Sequence, residues 1–209
     1  MVPAVMVLGF AAEMVAWWAV GARRAGVWPV MGLTLPAMGA AAVIADPPSL
    51  SPAVVPELAV IAGAAAGSAL YVATRAFVAI VTRWRAFQRQ SIEMYERQRG
   101  LPLALAVVLA AGLVVTGEEL FWRGLFEPRL AEALDGRTAG AAATWATFVL
   151  ANLPSRNLAI VGGAVVGGAV WAALAWWTGG VLASLLCHSV WTALMLSFPV
   201  VRIPAREAT

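Results

Sequence analysis

Lysine is absent from this chain: all fourteen basic residues are arginine. Cysteine occurs once, at Cys187, and histidine once, at His188. A single cysteine excludes an intrachain disulfide and any multi-cysteine metal site. A single histidine excludes the two-histidine zinc-protease pattern. Charge is also scarce, at 12% of residues against 62% apolar, and the mean hydropathy is +0.83. A soluble domain of 209 residues cannot hide that much apolar surface, so the chain reads as an integral membrane protein. Any chemistry falls to carboxylates, amides and hydroxyls, and no cofactor or metal is expected. The basic balance does not point to nucleic acid, because the arginines cluster between apolar runs, where they set membrane topology.

What is present is a succession of such runs. They predict an all-α, polytopic transmembrane helical bundle of about seven spans. The first, Val2 to Val20, has no basic residue ahead of it and carries Glu13 near its middle, which argues against a cleaved signal peptide. A carboxylate at that depth is a functional hypothesis by default, but a hydrogen bond to a neighbouring helix is the plainer reading. Span two is Val27 to Ala45, which Pro29 and Pro36 suggest is kinked, and the proline-rich Asp46–Pro52 is a turn. Span three, Val54 to Val81, holds Gly63 and Gly67, a face for close helix approach. Arg83 to Arg99 reads as a basic interfacial helix or loop lying on the anionic cytoplasmic face.

Span four begins at Leu101-Pro102 and runs into Thr116-Gly117-Glu118-Glu119-Leu120-Phe121-Trp122-Arg123-Gly124. Arg123 to Arg137 is expected to be amphipathic and broken by Pro128. Spans five to seven are Ala139 to Leu153, Leu158 to Trp177 (with a Gly163-xxx-Gly167 packing face) and Val181 to Val201. Residues 1–100 are thus N-terminal helices and the basic segment, 101–201 a core, and 202–209 a polar tail. Arg23, Arg24, the five arginines of 83–99, Arg156, Arg202 and Arg206 fall on one side, against Arg123, Arg129 and Arg137 on the other. The bias puts the first side in the cytoplasm, with the N-terminus outside and the C-terminus inside.

Two carboxylates and a guanidinium at the end of an apolar run are either a helix end reaching the headgroups or a site at membrane depth. Glu119 and Arg123 are four apart and share a helix face, so they can pair. Glu118 is rotated about 100° from them and left to act elsewhere, which suits a general base. Ser184, His188 and Thr192 form a polar stripe on the last span, which by itself reads as interhelical glue, as does Asn152 with Phe148 on its face.

The order of these elements resembles the CAAX-protease and bacteriocin-processing family of intramembrane proteases, over about Leu101 to Ser197. Glu118-Glu119 to Arg123-Gly124 is similar to its EExxxRG motif. Phe148 to Asn152 stands where its FxxxH falls, and the stretch from Thr178-Gly179-Gly180 to Thr192 resembles its closing histidine region. The resemblance implies that Glu118 activates a water for peptide hydrolysis, supported by Glu119 and Arg123, in a glutamate-based mechanism. It implies that His188 positions the water or the carbonyl and that Thr192 helps an oxyanion site. Two positions depart: Asn152 replaces the second-motif histidine and Thr192 the last-motif asparagine. Asparagine can donate to an oxyanion but cannot carry a proton.

The implied substrates are membrane-anchored or lipidated peptides: a CAAX-type tail, a bacteriocin leader or a C-terminal sorting anchor. The implied setting is the cytoplasmic membrane of a bacterium. The alternative is a weakened homologue serving as a membrane scaffold or immunity partner. For Glu118 and Asn152 to share a site, span four must run past Gly124, or the following segment must dip back into the bilayer.

Overall fold

In a computed structural model the apolar runs form helices, and no strand occurs among the described residues, 1–98 and 100–202. The helices are α1 (Val2–Gly21), α2 (Val27–Ala45), α3 (Pro56–Ile80), α4 (Arg85–Arg97), α5 (Leu103–Ala133), α6 (Arg137–Asn152), α7 (Leu158–Thr178) and α8 (Leu182–Ser197). Helices α1, α2, α3, α5 and α7 are long and apolar enough to cross a membrane, and α8 is a shorter apolar helix. The chain is a polytopic helical bundle and an integral membrane protein. Arg99, Arg206 and most of the expected polar tail lie outside the described residues.

The expected break at Pro128 is not there. Helix α5 has 31 residues, about 46 Å at 1.5 Å per residue, and continues through Pro128 to Ala133. In a regular α-helix the proline ring would strike the carbonyl of Gly124. Leu120–Phe126 instead forms a wider π-helical turn, with Gly124 inside it, so the conflict does not arise. A second π segment, Val108–Val114, precedes the acidic pair, which sits in the short α turn between them. The hairpin into α6 closes where Gly140 meets Ala131: a Cβ on Gly140 would lie 2.4 Å from the Ala131 nitrogen. Glu118 and Asn152 are equidistant in sequence from Asp135 in that turn, so the continuous helix brings them to one level.

At one end of the bundle the α2–α3 loop braces the α7–α8 turn. Val181 and Leu182 donate to the carbonyls of Ser49 and Leu50, and Ala53 donates to Thr178. Arg129 adds an ion pair to Asp46 at 2.6 Å. At the other end α4 lies across α1, α7 and α8. Arg23 and Arg97 both bond Glu93, Asn157 donates to the Gln90 carbonyl, and Tyr95 donates to the Met195 carbonyl at 3.1 Å. Burial pushes the Tyr95 phenol up to about 12, so it stays a neutral donor.

Glycines set the closest approaches. A Cβ on Gly63 or Gly67 would lie 2.5 Å from a carbonyl of α8, so the expected packing face is real. The Gly163-xxx-Gly167 face is not: Gly163 has only the Trp191 ring near it, and Gly167 makes room for Trp171 of its own helix. One core cluster joins α1, α2, α3, α5, α6, α7 and α8, with Trp122, Phe121 and Leu125 fully buried in it.

Candidate active site

Helix α5 meets α2 through Gly117, whose absent side chain lets it lie against the Leu35 carbonyl and Gly39. That contact fixes the height and rotation of the next two residues, Glu118 and Glu119, both buried. They face different partners.

Glu119 is fully enclosed. Its Oε1 accepts from Arg123 Nη1 at 3.3 Å and lies 2.9 Å from His188 Nδ1 on α8. The Glu119–Arg123 pair expected from helical spacing is present, with neither side chain exposed. The guanidinium also donates to the Gly168 carbonyl at 3.3 Å. Its carbon sits 4.6 Å from the centre of the Phe148 ring and 5.5 Å from that of Trp171, so it is held between two aromatic faces. Gly168 makes this possible, because a Cβ there would lie 2.8 Å from Phe148.

Glu118 differs. Its carboxylate accepts no hydrogen bond from the described residues, and its side chain keeps 9% exposure. The nearest cation-forming group is His188 Nδ1, 3.9 Å from Oε2. The imidazole stacks on Trp171, with ring centres 3.5 Å apart and planes 17° from parallel. A carboxylate can only accept, so Nδ1 of His188 donates to Glu119. That leaves Nε2 as the ring's acceptor when the ring is neutral.

Asn152 ends α6 nearby, with both N–H groups engaged. Nδ2 donates to the Phe148 carbonyl at 2.9 Å and to Glu13 Oε1 at 3.2 Å. This removes the oxyanion-donor role open to it on sequence grounds. Thr192 is half-buried and bonds no other site residue among those described. The structure therefore brings Glu118, Glu119, Arg123, Phe148, Asn152 and His188 together and leaves Thr192 at the margin.

Residues 99–194 match the family described as type II CAAX prenyl endopeptidase Rce1-like. The match runs from just before α5 through most of α8, 96 of the chain's 209 residues. That family is one of peptidases, and the matched segment resembles it. No curated protein and no solved structure matches. The matched segment contains every site residue that the motif spacing singles out, and it excludes Glu13.

Three site-forming residues carry no motif signal. Trp122 lies inside the first motif but reads only as apolar. Trp171 is recognisable only by Gly167 one turn before it. Glu13 stands out as a lone mid-span charge, yet its partners are more than a hundred residues away. A cavity of about 430 Å³ opens at the loop end of the bundle and reaches Arg123, beside Asp46, Glu127, Arg137 and Trp176. Neither Glu118 nor His188 lines it.

Proposed function

We propose that the chain hydrolyses a peptide bond in the tail of a membrane-anchored substrate, with Glu118 as the base that activates water. The observation carrying this reading is the division of labour between adjacent carboxylates. Oε1 of Glu119 is occupied by Arg123 and His188, whereas neither oxygen of Glu118 accepts a hydrogen bond from the described residues beside the same imidazole. A carboxylate that is buried and not engaged by the protein suits proton abstraction from water. His188, with Nδ1 held by Glu119, offers Nε2 to the water or to the group that receives the proton. The likeness to CAAX prenyl endopeptidases favours a prenylated tail. An arginine-only, alanine-rich composition favours a bacterial host, where a leader peptide or sorting anchor is the corresponding substrate. The arginine bias supports an orientation with the α4 end in the cytoplasm.

A second reading, a homologue without turnover that serves as a scaffold, is favoured by one observation. Asn152 occupies the second-motif position and has no N–H left to offer an oxyanion. Reconstituted protein and a quenched fluorescent peptide ending in a farnesylated CAAX sequence separate the two. Cleavage by the wild type, lost in Glu118→Ala and in His188→Ala with membrane insertion intact, supports the protease. Full cleavage by both variants would sink it.

A further inference from the structure

Glu13 has no part in the chemistry above, yet it is fully buried at the centre of α1. A carboxylate at that depth is costly unless it is bonded. Its two oxygens reach two different helices: Oε2 accepts from Trp122 Nε1 at 2.7 Å, and Oε1 accepts from Asn152 Nδ2 at 3.2 Å. Both donors are site elements. Trp122 immediately precedes Arg123 and packs on Phe148, with ring centres 5.5 Å apart, and Asn152 stands at the second-motif position.

An asparagine amide can rotate by 180° about its last bond and exchange a donor for an acceptor. Asn152 cannot do so here without losing both of its bonds. The Phe148 carbonyl and an ionised Glu13 carboxylate offer only acceptor oxygens, and together they take both N–H groups. We propose that Glu13 is a positioning residue of the active site. It locks Asn152 so that Oδ1, the only remaining polar atom of the side chain, is presented as an acceptor for a water O–H or a substrate N–H. An acceptor fixed from behind by a carboxylate does the hydrogen-bonding half of what a histidine would do there, without the proton transfer. The working site then includes α1, beyond the segment that matches the family. The inference rests on the peptidase reading for its consequence, though not for its geometry.

Two measurements on the full chain test it. The sequence has only two asparagines, Asn152 and Asn157, so ¹⁵N-asparagine protein in detergent gives two side-chain amide pairs, assigned with Asn152→Ala. Glu13→Gln is expected to move the Asn152 pair and leave that of Asn157; an unmoved pair overturns the proposal. With the farnesylated peptide, Glu13→Gln is expected to lower kcat about tenfold, the size of one charged hydrogen bond, with KM unchanged. Glu13→Gln combined with Asn152→Ala should be no slower than Asn152→Ala alone, because Glu13 acts through that amide. Losses that multiply, or an unchanged kcat in Glu13→Gln, overturn it. A wild type that does not cleave defeats the function proposed above, and the amide spectrum still decides whether Glu13 holds Asn152.

Discussion

His188 Nδ1 lies 2.9 Å from Oε1 of Glu119 and 3.9 Å from Oε2 of Glu118. The histidine is therefore bonded to the carboxylate that also holds Arg123 and is only adjacent to the one left free. The two neighbouring glutamates should fail differently when changed. Glu118→Gln removes the base and keeps the shape: turnover should fall by about 10² to 10⁴ with the melting temperature unmoved. Glu119→Gln takes the counter-charge from Arg123, so it should lower both stability and turnover. Paired melting and cleavage assays check this, and equal effects on both readouts in both variants would contradict the division.

Arg123 is enclosed by Glu119, Phe148, Trp171 and the Gly168 carbonyl, and its side chain has no exposure. Arg123→Ala leaves Glu119 buried with only His188 beside it, and breaking a buried pair costs about 3–5 kcal/mol. Arg123→Lys should recover only part of this, because an ammonium cannot lie flat between two rings while bonding on both sides. Thermal unfolding in detergent measures both. A lysine variant as stable as the wild type would show that the aromatic clamp contributes little.

Gly117 and Gly112 lie on the same helix and should respond oppositely to alanine. At Gly117 a Cβ would be 2.3 Å from the Leu35 carbonyl and 2.6 Å from the Pro36 Cα, and backbone atoms cannot swing aside. Gly117→Ala should cost about 1–3 kcal/mol and reduce cleavage by displacing Glu118. At Gly112 nothing lies within 4 Å, so alanine should be neutral or stabilising by up to about 1 kcal/mol. Melting temperatures of the two variants decide it.

The attachment of α4 should depend on acid. Hydrogen bonds from Arg97 and then Arg23 hold the Glu93 carboxyl below its ordinary 4.5. A carboxyl lowered in the folded state contributes stability in full above about pH 4.5, and that contribution disappears as the pH falls through the folded-state value. The melting-temperature gap between wild type and Glu93→Gln should be widest near neutrality and narrow as the pH falls from about 4.5 through the folded-state value. A gap independent of pH would show that the charge of Glu93 does not hold α4 in place.

The apolar runs, the arginine clusters and the turn residues were enough to predict an all-helical membrane bundle, because long apolar segments have few other stable forms in a bilayer. The Glu119–Arg123 pair was equally legible, since a four-residue spacing on one helix fixes proximity without any knowledge of neighbours. The same local reasoning failed at Pro128. A π-helical turn absorbs the proline, and that choice depends on packing around Gly124, against which a side-chain atom of Pro48 would lie only 2.9 Å from a Cβ.

Which groups meet across helices was decided only by the tertiary structure. Sequence spacing cannot show that His188 turns to Glu119, that Trp171 stacks on it, or that Glu13 takes up the amide of Asn152. Each contact joins positions on different helices, and in a medium that cannot solvate them such groups bond whatever partner the packing delivers. The sequence determined that Glu118, Glu119 and Arg123 ride on one helix. The fold decided which of the two carboxylates was left free.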